Sequence, residues 1–468
     1  MLKVIIATIV GIVVIGILFY FDRGSERKVS KVVWLPTVWL LILSSRPPSF
    51  WFGIDVEANM NVRYQEGSPF DAAIFGLLIV VGVVVLTGHY QSVVRVLRHN
   101  YSILLFYIYC AVSVSWSDDP LVSLKRWIKA IGDVVMILIL VTDERPVKSI
   151  KKLLTRIAFI LLPLSVLFDK YYPNLSRQYT VEGEPMISGV TDTKNELGCL
   201  CLILGLAALW ITLDLWRNRK APNRSRRLIA HSFVVVLAYL LCYQANSMTS
   251  FSCLLMACAV MVLAGLPIVR RRPGLIHSLV WGFIGLSLFA TVIAPSGGLL
   301  KMLNRNPTLT GRTVVWNAVL SMHTNPLIGV GYEDFWMGSR LLHVDRLVGM
   351  KIQEAHNGYM EIYLNLGWIG LILMGVMIAT GYWSIVAQYR RDPHLGAALV
   401  AFFTAVIIYN ISEYGFRPPG LVWEMFILSI VLATEQFHQE LRMRFARRRS
   451  KATFLLPERA ASKAVRQF

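Results

Sequence analysis

His356 is the residue best suited to acid–base chemistry, because it lies in the polar segment EAHNGYMEIY beside Asn357 and Tyr359. An imidazole is neutral for part of the time near pH 7 and can accept a proton from a hydroxyl group. A helical pattern would put His356 and Met360 on one face and turn Glu361 to another. We therefore expect His356 to be a proton acceptor in a pocket that includes Asn357 and Tyr359.

Arg312 is the residue best suited to bind an anion. It opens a predicted amphipathic helix over residues 312–323, with Thr310 as its N-cap and Val315 and Val319 on its apolar face. The free backbone N–H groups and the dipole of a first turn already favour an anion. An arginine at that place is electrostatically unfavourable unless an anion is bound there, and a solvated arginine is the alternative.

Two further cations, Arg177 and Lys194, lie in the polar segment 169–195. Cations at the end of a membrane span are often anchors for the bilayer surface. The segment 169–195 belongs to the side of the predicted membrane protein that carries few basic residues, as the orientation below explains. Binding of a polar ligand is therefore the other interpretation. Asn195 follows Lys194 at the start of the next apolar run and joins the candidate pocket.

Metal binding is a weaker interpretation of the polar residues. Asp118 and Asp119 in SWSDDPLVSLKRW could hold a divalent ion, but an aspartate before a proline is typical of a helix N-cap. His323, His343 and His356 match no known zinc spacing. The six cysteines lie in or beside apolar runs, as buried thiols do. We expect no metal, no cofactor and no disulfide.

The composition indicates which class of protein holds these residues in place. The chain has 468 residues, of which 55% are hydrophobic and 16% are charged. A soluble domain has about 25% charged residues, so much of this surface is expected to face lipid. The sequence predicts an all-α polytopic membrane protein. About thirteen apolar runs have spanning or near-spanning length. They lie near 2–20, 32–45, 71–88, 101–115, 127–142, 153–168, 196–214, 229–246, 250–268, 275–295, 365–387, 394–411 and 420–437.

The distribution of Lys and Arg predicts the orientation, because basic loops stay on the cytoplasmic side. All basic connectors fall on one side when thirteen spans alternate. This predicts ten helices in 1–295, a large outer loop with short helices in 296–364, three helices in 365–437 and a basic cytoplasmic tail in 438–468.

The two ends of the chain allow simple interpretations. The first run has no cleavage pattern after it, so we expect it to stay as a helix. The basic tail is interpreted as an anchor on anionic lipid headgroups, and no nucleic acid is expected as a partner.

Several motifs resemble the O-antigen ligase and O-antigen polymerase family of bacterial membrane glycosyltransferases. They are TGRTVVWNAVLSMHTNPLIGVGYEDFW and EAHNGYMEIYLNLGWIGLILMG. The upstream segments SVSWSDDPLVSLKRW, GVTDTKNELG and SMTS are similar to the exopolysaccharide-polymerase branch of that family. Together these segments cover most of the chain after about residue 100.

The resemblance implies a glycosyltransferase-C-like helical fold in the inner membrane, with the active site facing the periplasm. It implies an inverting, metal-independent transfer from an undecaprenyl-diphosphate-linked oligosaccharide. His356 and Arg312 match the catalytic positions, and Arg177 and Lys194 are candidates for further contacts to the donor diphosphate.

The acceptor stays open between a growing glycan, for a polymerase, and lipid A-core, for a ligase. A flippase and a chain-length regulator are candidate partners besides membrane lipids. A transporter of the same lipid is the alternative of another class, and the concentration of polar residues outside the apolar runs disfavours it.

Overall fold

Apolar helices make up most of the structure, a computed structural model that describes residues 2–24, 29–54, 67–179, 185–290, 312–349 and 351–436. The helices before residue 180 are α1 (Leu2–Phe21), α2 (Trp34–Leu43), α3 (Pro48–Trp51), α4 (Pro69–Thr87), α5 (Tyr90–His99), α6 (Tyr101–Ser113), α7 (Pro120–Val141), α8 (Pro146–Tyr171) and α9 (Pro173–Ser176). Those that follow are α10 (Lys194–Arg217), α11 (Arg224–Gln244), α12 (Met248–Ala264), α13 (Pro267–Arg271), α14 (Leu275–Leu288), α15 (Arg312–Leu320), α16 (Gly338–Val348), α17 (Gly358–Arg391), α18 (Pro393–Tyr409) and α19 (421–436).

The predicted helical membrane fold is confirmed. Each predicted apolar run coincides with a helix wherever the structure describes it. Five described helices, α1, α4, α10, α11 and α17, are long and apolar enough to cross a membrane. The other runs form helices that are shorter or carry more charge, so their crossing of the bilayer stays a prediction.

Two short strands interrupt the helical pattern. β1 (Arg177–Tyr179) and β2 (Pro185–Ile187) pair antiparallel, with Arg177 opposite Ile187. This hairpin lies in the polar segment before α10.

The centre of the bundle is formed by α10, which packs against α11 and α12, and by α18, which packs against α12 and α17. Ile203 and Leu206 of α10 and Val400 and Phe402 of α18 are completely buried. In contrast, α1 exposes large apolar residues such as Ile5, as a lipid-facing helix does.

A smaller apolar cluster lies beside the bundle. It joins α15, the segment before α16, α16 and the start of α17, and includes Val315, Val319, Phe335 and Val344. The predicted helix from Arg312 is therefore present, although it ends at Leu320. Its proposed N-cap, Thr310, lies outside the described residues.

The glycine-rich turn NPLIGVGYEDFW packs against the kink of α17. Gly329 has φ +68°, and a Cβ there would lie 2.4 Å from the backbone carbonyl of Asn365. Gly331 donates its N–H to Asn365 O at 2.9 Å. These two glycines therefore let the turn approach another segment of the chain closely, near the point where Gly367 breaks the helical geometry of α17.

Candidate functional site

Glu413 is the residue on which three of the predicted site residues converge. Arg312 Nη2 lies 2.5 Å from Glu413 Oε1. His356 Nδ1 lies 3.3 Å from Glu413 Oε2, and Asn195 Nδ2 donates to the same oxygen at 3.3 Å. The side chain of Glu413 is only 4% exposed, so these contacts replace water around its charge.

The loop between α18 and α19 holds Glu413 rigidly. Asn410 Oδ1 accepts hydrogen bonds from the backbone N–H groups of Gly415 and Phe416, at 2.9 and 2.7 Å. Gly358 N donates to the carbonyl oxygens of Asn410 and Glu413, which ties the start of α17 to this loop. A Cβ at Gly358 would lie 1.9 Å from Asn410 Oδ1, so the contact requires glycine.

His356 does not belong to the helix that the sequence suggested. It has φ +49°, a left-handed conformation that is uncommon outside glycine. Asn357 is the N-cap of α17, and its Oδ1 accepts from the backbone N–H groups of Tyr359 and Met360, both at 3.0 Å. The expected helical face shared by His356 and Met360 is therefore wrong, because the cap turns the chain one residue after His356.

Two carboxylates set the protonation of His356. Its Nδ1 lies 2.8 Å from Glu354 Oε1 as well as 3.3 Å from Glu413 Oε2. Burial would lower the pKa of His356, but the hydrogen bonds and charges of Glu354 and Glu413 outweigh it and raise the pKa to about 10. The expectation of a partly neutral imidazole does not hold here, because Glu354 and Glu413 both lie against Nδ1. Of these two carboxylates, Glu413 is 57 residues away in the sequence.

Asn357, Tyr359 and Lys194 are the other predicted site residues near the start of α17 and of α10. Asn357 also donates from Nδ2 to Ile411 O at 3.1 Å, and Tyr359 donates its hydroxyl to Ile407 O at 3.2 Å. Asn357 therefore contacts the loop after α18, and Tyr359 ties the start of α17 to α18 itself. Lys194 is the half-buried first residue of α10, next to Asn195.

Arg177 forms its ion pair with Asp169. Its Nε lies 3.3 Å from Asp169 Oδ1, and its Nη2 donates to Asp169 O at 3.1 Å. This ion pair joins β1 to the end of α8.

Sequence reasoning missed the two carboxylates, Glu354 and Glu413. The available signal for Glu413 was the polar insertion SEYGFRPPG between two apolar runs. A charged residue at the edge of a membrane region is costly without a partner, so it marks a candidate site.

The paired aspartates have structural partners. Asp119 Oδ1 accepts from Val122 N at 3.2 Å, as the capping interpretation predicted. Asp118 Oδ2 lies 2.6 Å from Arg340 Nη1.

Among the residues that the structure describes, one group has a spacing that could suit a metal ion. It consists of Glu354, His356 and Glu413, and one ligand atom of each lies within 4.8 Å of the others. Arg312 and the imidazole already supply positive charge to these oxygens. His323 and His343, which would have completed a zinc site with His356, are both exposed and do not belong to this group.

The comparisons with known proteins agree with the motifs. A family model described as O-antigen ligase matches residues 197–375, which include Arg312, Glu354 and His356. The exopolysaccharide production protein ExoQ of Rhizobium meliloti (strain 1021) is 25% identical over 326 residues, which cover 66% of this chain and 70% of that protein. The resemblance to the O-antigen ligase and polymerase family is thereby confirmed.

Proposed function

We propose that this multi-pass member of the O-antigen ligase and polymerase family polymerises an extracellular polysaccharide. The donor is a glycan on undecaprenyl diphosphate, and the acceptor is a hydroxyl group of a second glycan. The reaction takes place at the periplasmic face of the bacterial inner membrane. The observation that supports this proposal most strongly is the convergence of Arg312, His356 and Asn195 on Glu413.

The proposed step is a direct displacement at the anomeric carbon. The bond from this carbon to the diphosphate oxygen breaks, and a bond to the acceptor oxygen forms on the opposite face, which inverts the configuration. The leaving diphosphate gains negative charge, and Arg312 is the cation that stabilises it. Because the chain supplies this charge, the reaction needs no metal ion.

His356 is the proposed acceptor of the hydroxyl proton. Both carboxylates lie against Nδ1, which leaves Nε2 on the other side of the ring for the acceptor hydroxyl. A carboxylate that fixes one ring nitrogen and frees the other is a recurrent arrangement in acid–base catalysis. Since the pKa of His356 is raised to about 10, the ring must first lose a proton, and the step should become faster as the pH rises.

The test is product analysis with purified full-length protein in nanodiscs and a synthetic undecaprenyl-diphosphate-linked repeat. Growth of the glycan in steps of one repeat supports the polymerase. No reaction until lipid A-core is added would instead identify a ligase. Movement of the lipid across a vesicle bilayer without a new glycosidic bond would overturn the proposal in favour of a transporter.

A further inference from the structure

Glu361 is a completely buried acidic residue in the first turn of α17 that the proposed mechanism does not use. Trp336 Nε1 donates to its Oε1 and Oε2, at 3.0 and 2.9 Å. The backbone N–H of Ala355 donates to Oε1 at 2.5 Å. Glu361 therefore joins the segment before α16 to the residue that directly precedes His356.

Both backbone polar groups of Ala355 are bound by side chains. Its N–H belongs to the peptide group that joins it to Glu354, and Glu361 accepts from this N–H. Its carbonyl belongs to the peptide group that joins it to His356, and the carbonyl oxygen accepts from Trp316 Nε1 at 2.7 Å. Because peptide groups are planar, holding these two groups fixes the direction in which the chain enters His356.

The backbone of His356 needs this support. Its φ of +49° is a conformation that costs free energy in a residue other than glycine and persists only where surrounding contacts enforce it. Glu354 Oε1 lies 2.8 Å from His356 Nδ1, and the backbone of Glu354 belongs to the peptide group that Glu361 holds. Movement of this peptide group would therefore displace both the imidazole and one of the two carboxylates that orient it.

The other partner of Glu361 has contacts of its own. The ring of Trp336 packs against that of Phe335, with 5.1 Å between their centres. Asn365, one turn after Glu361 in α17, accepts from the backbone N–H of Phe335 at 3.0 Å. Asn365 also donates from Nδ2 to Glu361 O at 2.9 Å. Glu361 therefore bonds to a segment that α17 already holds at a second point.

Trp316 connects the same arrangement to Arg312. It lies four residues after Arg312 in α15, which is about one helical turn. Its bond to the Ala355 carbonyl holds α15 against the segment that carries His356. The peptide groups on either side of Ala355 thus relate the proposed anion-binding residue to the proposed base.

We infer that Glu361 is a positioning residue for the transfer reaction, which holds the peptide group before Ala355 so that His356 Nε2 faces the acceptor hydroxyl. This inference rests on the proposed function. Glu361 acts through the imidazole, so its effect on the rate should disappear where the imidazole is absent. A residue that only stabilises the fold would lower the rate by the same factor with and without His356.

The experiment is a double-mutant cycle on the full-length protein in nanodiscs, with a synthetic undecaprenyl-diphosphate-linked repeat as donor. Glu361→Gln should lower turnover about ten- to a hundredfold, because a small misplacement of a catalytic group has an effect of this size. In His356→Ala, the same substitution should lower the residual turnover by less than about twofold. Glu361→Leu should have a larger effect than Glu361→Gln when His356 is present, because the amide keeps one acceptor oxygen and leucine keeps none.

Glu435→Gln is the matched control, because Glu435 is also a buried acidic residue with a side-chain partner. Its side chain is 2% exposed, and its Oε1 lies 2.8 Å from His99 Nδ1. It lies near the C-terminal end of α19, whereas Glu413 lies in the loop before that helix. Whatever its effect on turnover, the factor should be the same with His356 and with alanine at that position.

Equal factors for Glu361→Gln in the two backgrounds, or wild-type turnover in Glu361→Gln, would overturn the inference. A loss of turnover that is confined to variants containing His356 supports it, and unfolding midpoints above the assay temperature exclude a folding defect. The proposed function is judged separately, by whether the wild-type protein forms a glycosidic bond from the donor.

Discussion

Replacement of Glu413 by glutamine is the most direct test of the candidate site. The change keeps the shape of the side chain but removes its charge. Arg312, His356 and Asn195 all direct N–H donors at this carboxylate in the structure. The glutamine NH₂ group would face at least one of these donors, because only one of its two terminal atoms can accept a hydrogen bond.

The expected loss of stability follows from the burial of the ion pair. Removing one partner of a buried ion pair costs about 3–5 kcal/mol, because the other charge is left without compensation. The Arg312 side chain keeps 15% of its surface exposed, so we expect about 3 kcal/mol, the lower end of that range. Turnover should also fall about a hundredfold, as when a catalytic group is displaced by about 1 Å.

The assay combines the free energy of unfolding with the rate of glycan transfer, both in the same lipid. Asp118→Asn is the matched control, because it removes a carboxylate that pairs with Arg340 but is 67% exposed. That control should change stability by less than about 0.5 kcal/mol. If Glu413→Gln were as stable and as active as Asp118→Asn, Glu413 would not organise the site.

Three other predictions concern the residues that contact Glu413. His356→Ala should lower turnover by about two to four orders of magnitude and leave donor binding intact. Single-turnover kinetics with labelled donor would measure both, and unchanged turnover would show that His356 does not take part in the reaction. Arg312→Ala should weaken donor binding as well as rate, and wild-type donor affinity in an equilibrium binding assay would contradict its role. Because neutral His356 becomes more abundant as the pH rises towards its pKa of about 10, the rate of the chemical step should rise about tenfold per pH unit between pH 7 and 9. A flat pH profile would mean that a carboxylate, Glu354 or Glu413, takes the proton.

The sequence predicted the elements well because their signals are local. Apolar runs of sufficient length form helices in lipid, since every backbone polar group must be satisfied within the segment. The cap at Asp119 could likewise be recognised from its neighbours. The conformation of His356 could not be recognised in this way, because its left-handed backbone depends on the cap at Asn357 and on the loop that Asn357 contacts.

What the sequence by itself determined is the helical membrane fold, the resemblance to the family and the residue types able to bind an anion or move a proton. Only the tertiary structure decided which charges meet. Glu413 lies 101 residues from Arg312 and 218 residues from Asn195 along the chain, and no periodic pattern relates positions so far apart. Their pairing follows from the packing of α10, α17 and α18 with one another and of α15 against the start of α17. An isolated charge at the edge of an apolar bundle is costly, so the buried charges are stabilised by meeting one another.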